Sequence, residues 1–320
     1  MKPINVVVTC TKQKTREADL SLQLRHIHAG TIATRVAEWK RRADRWNGDV
    51  VSARQLYAGD HWTVARELEK LKPGGRQINL WVISAGFGLL SLDAPIPAYS
   101  ATFSTRHPDT VVLPDSLSVA PQAASCKRDW WNELIAHSWA RERPISITDL
   151  AREFNDCPLL IAASCNYLRA VQDDLTQAAG CLKSSNLLAL VSGGTEDLGS
   201  LTGNLVPCDA RLQPLVGGIL RSLNVRALRY YLSNCGREQP GLRTMKTAFQ
   251  EMLERAPVRV RDQRAPVSDD ELRRFVNAAI STRDRISHTS LLRELRASGR
   301  ACEQTRFRTV FREVEASIHE

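Results

Sequence analysis

Two carboxylates lie close to tyrosines in this chain. Asp93 precedes Tyr99 in a stretch that runs from Ser84-Ala85-Gly86-Phe87-Gly88 through Pro95 and Pro97. Asp60 follows Tyr57-Ala58-Gly59. A carboxylate so placed can stabilise positive charge developing on a sugar carbon, or orient water against it. Tyr57, Ser84, Phe87 and Tyr99 are suited to hold a planar base. Asn166 can read a base edge, because its amide both donates and accepts. Lys12, Lys14 and the amides of Gly193 and Gly194 suit phosphate. Gly86 and Gly88 would let a nucleotide approach the backbone. His61 and His107 are acid–base candidates, although an isolated surface histidine is the commoner meaning. Asp93, just ahead of Pro95, could equally open a turn, and Tyr99 could serve packing.

Several chemistries drop out. No G-x-x-x-x-G-K-[ST] is present, so phosphate is not held by a P-loop. Gly86-x-Gly88 lacks the third glycine of the dinucleotide fingerprint, and G-x-S-x-G is absent. Two-metal sites need clustered carboxylates; Asp173-Asp174 and Asp269-Asp270 are adjacent pairs that read as exposed helix charges and a cap. The eight cysteines form no C-x-x-C pair, so a zinc site is not expected and the thiols read as reduced, mostly buried small hydrophobes. What remains is chemistry without metal or cofactor. N-glycosidic cleavage fits, with the target base taken out of the stack into a pocket.

Positioning such groups needs a scaffold. Ile4–Val8, Ile78–Ser84, Leu159–Ala163 and Leu187–Val191 are short, continuous apolar runs, each followed by small or polar residues. Helical spacing is expected over Ser21–Trp46, Trp62–Leu71, Ser125–Ala140 and 214–233, with a further short strand at Val50–Ser52. Apolar strands alternating with helices predict an α/β fold, a mostly parallel sheet flanked by helices. Ligands bind such sheets at the carboxyl ends of the strands. The loops Thr9–Lys14, Ser84–Gly88, Ser164–Tyr167 and Ser192–Thr195 would then line one site.

The chain has 320 residues and a net charge of +9. Residues 1–46 hold ten Lys/Arg against four Asp/Glu, and residues 241–320 hold sixteen against twelve, fifteen of the sixteen being arginine. That bias suits a phosphate-rich partner, because the guanidinium fork donates two hydrogen bonds at once. No run is long and apolar enough to cross a bilayer and no signal-peptide core is present, so a cytoplasmic protein is expected. The organisation expected is an α/β domain over 1–256, a linker over 257–267 and a helical module over 268–320. Ser268 and Glu271 form a capping box. Leu291, Leu292 and Leu295, the turn at Gly299, then Phe307, Val310, Phe311 and Val314 have helix-turn-helix spacing. Arg306, Arg308 and Arg312 fall off that stripe, where a recognition helix would meet DNA.

Leu56-Tyr57-Ala58-Gly59, and Ile83-Ser84-Ala85-Gly86-Phe87-Gly88-Leu89-Leu90 followed by Asp93, Ile96, Pro97 and Tyr99, resemble motifs of the YaaA superfamily, which includes a peroxide-stress DNA-binding protein. Phe87 stands where those relatives usually have tyrosine. Cys10-Thr11-Lys12-Gln13-Lys14 is similar to their N-terminal Cys-Ser-x-x-Lys loop. The likeness spans roughly residues 4–104, and no helix-hairpin-helix signature accompanies it. The resemblance implies a DNA-binding α/β fold and, more distantly, a relation to anti-phage glycosylases that excise modified cytosine. The expectation is therefore a metal-independent, cofactor-free DNA glycosylase that flips out a modified base, with Asp93 or Asp60 at its chemical centre. The alternatives are a non-catalytic DNA-binding stress-response protein and an enzyme of modified nucleosides in RNA.

Overall fold

The structure, a computed structural model, describes residues 1–27, 30–136, 144–194, 197–257, 265–283 and 286–319. It divides into two compact units, Met1–Pro257 and Val258–Glu320. Residues 258–264 of the expected linker, and Thr195 of the fourth loop, lie outside the described residues.

In chain order the first unit holds β1 (Ile4–Thr9), α1 (Ile32–Asp44), β2 (Val50–Ser52), α2 (Ala53–Leu56), α3 (Asp60–Leu68), β3 (Ile78–Ser84), β4 (Gly88–Ser91), β5 (Pro95–Pro97), α4 (Ala120–Ala136) and α5 (Ile147–Glu153). It continues with β6 (Leu159–Ala162), α6 (Cys165–Ala170), α7 (Gln172–Cys181), β7 (Leu188–Gly193), β8 (Leu205–Cys208), α8 (Gln213–Val216), α9 (Leu223–Asn234) and α10 (Leu242–Arg255). Six strands form one sheet in the order β4-β3-β1-β6-β7-β8. β3, β1, β6, β7 and β8 are parallel, and β4 is antiparallel on the edge. Every residue of β1 and β6 is buried, as strands covered on both faces must be. α1 and α5–α7 associate around α4, whereas α3 and α10 associate with α9. These are the two helical layers of an α/β fold.

β1 lies at the centre, and the order fixes where a ligand belongs. From β1 the chain crosses to β3 on one side; from β6 it crosses to β7 on the other. The topological switch point, where diverging connections open a crevice above the carboxyl ends, is therefore between β1 and β6.

Some expected elements differ. Ser21–Trp46 is not one helix. Two single helical turns, Leu20–Leu22 and Leu24–His26, come first. Tertiary pairing holds them apart from α1: Leu24 N donates to Ser100 O and Ser100 N to Leu22 O. Thr31 then caps α1 by accepting from Thr34 N. The span 214–233 breaks at Gly217 and Gly218, both at left-handed φ (70° and 72°), which glycine adopts without a Cβ clash. α4 starts five residues ahead of the expected Ser125, with Pro121 in its first turn. Of the expected Ser125–Ala140, residues 137–140 lie outside the described residues.

The second unit holds β9 (Ala265–Pro266), α11 (Asp269–Thr282), α12 (His288–Ala297), β10 (Arg300–Ala301) and α13 (Gln304–His319). Ser268 and Glu271 cap α11 reciprocally. Leu272, Val276, Leu291, Leu292, Leu295, Phe307, Val310, Phe311 and Val314 form its separate core. The link between α12 and α13 carries β10, which pairs in parallel with β9.

Candidate functional site at the carboxyl ends of the strands

β1 ends at Thr9, and Cys10 N donates to Ile83 O at 3.0 Å, which ties the first loop to the end of β3. Thr11 Oγ1 donates to Gln13 O at 2.8 Å and turns the chain. Lys12 is exposed, whereas Lys14 is drawn inward by a bridge to Tyr57. The Lys14 ammonium lies 4.3 Å from the centre of the Tyr99 ring and 5.8 Å from that of Tyr57, and donates to Thr11 O at 3.3 Å. Burial lowers its pKa, while Cys10 and Asp109 pull it back up.

Beneath this lysine runs a chain of buried hydroxyls. Tyr57 OH meets Tyr99 OH at 2.9 Å, and Tyr99 OH meets Ser84 Oγ at 2.8 Å. Ser84 Oγ accepts from the amides of Gly86 (3.3 Å) and Phe87 (3.1 Å). Burial pushes both tyrosines well above the ordinary phenol value, so they stay neutral. Two indoles pin the turn after β3: Trp39 Nε1 donates to Gly86 O at 2.7 Å and Trp130 Nε1 to Ala85 O at 2.8 Å. Across the switch-point crevice, Cys10 Sγ meets Tyr167 OH at 3.2 Å. Two residues earlier on α6, Cys165 Sγ meets Ser192 Oγ of β7 at 3.3 Å.

The glycines of the β3–β4 turn serve packing. A Cβ on Gly86 would stand 2.6 Å from the Tyr99 ring and 3.3 Å from Trp39. Gly88 takes φ 73° to turn the hairpin. Neither position matches the expectation that these glycines admit a ligand. Phe87 is buried with its ring edge-on to Tyr99 at 5.0 Å. Asn166 Oδ1 accepts from Lys127 Nζ at 3.1 Å. Gly193 and Gly194 are exposed, and a Cβ on Gly194 would come within 2.9 Å of Cys165 Sγ.

The expected catalytic carboxylates lie elsewhere. Asp93 is not at the carboxyl ends. β4 runs antiparallel to β3, and Ser91 pairs with Trp81, three residues back from Ser84. At about 3.3 Å per residue the hairpin has already carried the chain some 10 Å away from the site. Asp93 stands beyond that point with its side chain 81% exposed, 3.3 Å from Arg54. Asp60 is nearer, since its neighbour Gly59 abuts Gln13 of the first loop. Its carboxylate, however, accepts from Arg226 and Ser222, and these bonds lower its pKa.

Both histidines read as neutral rings. His61 is no surface residue: burial drives it down to about 4, although Asp60 and a hydrogen bond to the Thr9 backbone oppose the shift. Its Nε2 is buried without a partner, so Nδ1 carries the proton given to Thr9. His107 is lowered by burial and by nearby Lys12, and its Nδ1 accepts from Asp109 N at 3.1 Å.

Asp109 carries no signal of its role in the sequence. It is fully buried. It accepts from Arg25 N (3.0 Å), Arg25 Nε (2.9 Å) and Ser100 Oγ (2.7 Å), besides Arg25 Nη2. Burial alone would raise its pKa, but these bonds hold it at about 2. Lys14, Arg25 and His107 all lie within its electrostatic reach. In sequence, Thr105-Arg106-His107-Pro108-Asp109 looks like an ordinary turn. Nothing there announces an anchor for a residue 84 positions earlier.

A cavity of about 500 Å³ opens between α8, α9 and α10, lined by Leu215, Tyr230, Cys235, Met252 and Arg255 among others; none of the strand-end residues lines it. No group of three or more metal-ligating side chains occurs among the described residues, and no described helix is long and apolar enough to cross a membrane. No protein-family model matches the chain, and no curated protein matches it either.

In the second unit, Arg306 does not face outward as a free reading arm. It donates to Asp269 at 2.6 Å and to Val267 O at 2.9 Å, fastening α13 to the start of α11. Arg308 and Arg312 are exposed, one helical turn apart.

Proposed function

We propose that this chain is a DNA-binding protein of the YaaA-like kind that takes one nucleotide at the carboxyl ends of β1, β3 and β6 and cleaves its N-glycosidic bond. The observation that carries this reading is the switch-point cluster. Lys14 lies over a buried tyrosine and serine network, and Lys12 stands exposed on the same loop, where a parallel sheet receives ligands. Phosphate would meet Lys12, and the flipped base would enter beside Tyr99 and Tyr167. Asp60 is the candidate carboxylate: it borders the first loop, is held ionised, and keeps 36% of its side chain exposed. The natural substrates are modified bases, of the kind found in phage DNA.

The test is base release from duplexes carrying modified or unmodified bases, followed by chromatography of the freed base. Asp60→Asn keeps the shape and removes the charge. We expect it to slow release about 100-fold, as loss of one electrostatic stabiliser does, whereas Asp93→Asn should not change the rate. Equal rates in Asp60→Asn and wild type would remove the carboxylate from the mechanism.

A second reading is favoured by one observation: both predicted carboxylates are engaged by arginines, Asp60 by Arg226 and Asp93 by Arg54. A protein that binds DNA without cleaving it has no use for a free carboxylate. Tight binding with no base release from any modified duplex would select that reading.

The arginines of α13 give a separate prediction. Arg308→Ala and Arg312→Ala should each weaken DNA binding, and each should reduce the slope of log affinity against log salt by about 1. Arg306→Ala should instead lower thermal stability at unchanged slope, because its donors are spent on Asp269 and Val267. Titrations at four salt concentrations decide it; an unchanged slope in all three variants makes them a solvated face.

A further inference from the structure

The Lys14 amine has an environment that phosphate binding does not require. An ammonium that only neutralises phosphate is best left in water on a flexible stem, as Lys12 is. Lys14 is instead folded back over aromatic rings, beside the Cys10 thiol and above the hydroxyl chain of Tyr57, Tyr99 and Ser84. One backbone carbonyl, Thr11 O, holds its proton side at 3.3 Å. Desolvation of a lysine in an apolar pocket is a recognised route to a nucleophilic amine.

We propose that Lys14 is a covalent catalytic residue that forms a Schiff base with C1′ of a deoxyribose that has lost its base, so that the protein also nicks DNA at abasic sites. The inference rests on the strand-end nucleotide site proposed above.

The chemistry balances without metal or redox partner. The open-chain sugar of an abasic site presents an aldehyde at C1′. The neutral Lys14 amine adds to it through the Nζ lone pair and gives a carbinolamine, which loses one water to leave the imine. The imine draws electrons from C2′, whose proton passes to water. The C3′–O bond then breaks, and the 3′ phosphate departs with the electron pair. Hydrolysis of the imine returns the lysine and releases an unsaturated sugar aldehyde on the 5′ fragment. Burial favours the first step, because it lowers the pKa of Lys14 and so increases the neutral amine at a given pH. The surrounding tyrosines, pushed far above the ordinary phenol value by burial, do not compete as anions.

The test uses a duplex with a single abasic site, so it needs no knowledge of the target base. The full chain is incubated with it at saturating concentration, with and without borohydride, which reduces an imine to a stable amine link. We expect nicking on the 3′ side of the site and a covalent protein–DNA adduct after reduction. Peptide mass spectrometry of that adduct should place the sugar remnant on Lys14. Lys14→Arg keeps the positive charge but cannot form the imine, and should lower trapping at least 100-fold while its melting curve stays cooperative. An adduct mapped to Lys12, to the amino terminus or to any other amine overturns the proposal. So does wild-type protein that binds the abasic duplex without nicking or trapping. In that second case, base release from modified duplexes still stands or falls independently, as cleavage by water needs no lysine. Should Lys14→Arg fail to fold, the mapped position of the wild-type adduct alone decides.

Discussion

Asp174→Ala should lower the stability of the first unit by about 4 kcal/mol, a large share of the 5–15 kcal/mol that holds a typical domain folded. Asp174 is 2% exposed. One carboxylate oxygen accepts from Trp131 Nε1 at 3.0 Å and Ile147 N at 2.9 Å. The other accepts from Thr148 N at 2.9 Å and Thr148 Oγ1 at 2.6 Å. The residue thus satisfies the first amides of α5, which no helical carbonyl can reach, and joins α4, α5 and α7 at one point. Alanine would leave an indole and two amides buried without acceptors, at about 1–3 kcal/mol each. Asp174→Asn keeps one oxygen and should cost about half as much. Denaturant midpoints for the three proteins measure the series; an Asp174→Ala midpoint within error of wild type would show that water replaces the carboxylate. Burial raises the Asp174 pKa despite these bonds. Its ionised form is therefore less favoured folded than unfolded, and Asp174→Asn should lose less stability near neutral pH than its bond count alone suggests.

How much of this was visible in the chain depends on range. β1, β3, β6 and β7 are continuous apolar runs, and such runs mean buried parallel strands whatever their neighbours. The capping box at Ser268 is a local grammar of side chain and amide, legible over four residues. Asp174 shows the opposite case. Beside Asp173 it reads as an exposed helix charge, and only the packing of α5 against α7 reveals that one of the two faces the interior. Asp93 failed for a related reason. Its loop follows the right strand, but a three-residue turn over Ala85, Gly86 and Phe87 starts an antiparallel hairpin, and the chain leaves the site before the carboxylate is reached. Tyr99 meets the strand end because the chain returns: β5 pairs with β2, Pro97 opposite Val50, and brings Tyr99 back over Ser84. Direction of travel, set by short edge pairings, decided which residues of one continuous motif meet.

Arg306 carries the same lesson at shorter range. Helical periodicity placed it correctly off the buried stripe, yet periodicity says nothing of what a surface guanidinium will find. Asp269, at the start of α11, was within reach.

Asp109→Asn should be the most damaging single change at the strand ends, costing about 3 kcal/mol. It would take the charge from a buried carboxylate that binds Arg25 through two side-chain donors and one amide. Breaking a buried pair from one side costs about 3–5 kcal/mol, and the 42% exposure of Arg25 allows part of that to be recovered in water. The pH dependence supplies the sign. A folded pKa of about 2 against an ordinary value of 3.8 means that the native state holds the charged form more tightly than the unfolded chain does. The resulting stability, about 2 kcal/mol, is present above pH 4 and is lost as pH falls from there through 2. Wild-type protein should therefore lose stability steeply across that window, and Asp109→Asn should be flatter. Parallel acid limbs in the two proteins would mean that Arg25 does not hold the carboxylate in solution. The variant also reaches the site, because the Asp109 charge is one of the two influences that raise the Lys14 pKa. Without it the amine should titrate lower, with more of it neutral at a given pH. Borohydride trapping on abasic DNA by the folded variant should then persist to lower pH than in wild type. A trapping profile that does not move would separate Asp109 from the lysine and leave it as the anchor of the Arg25 segment alone.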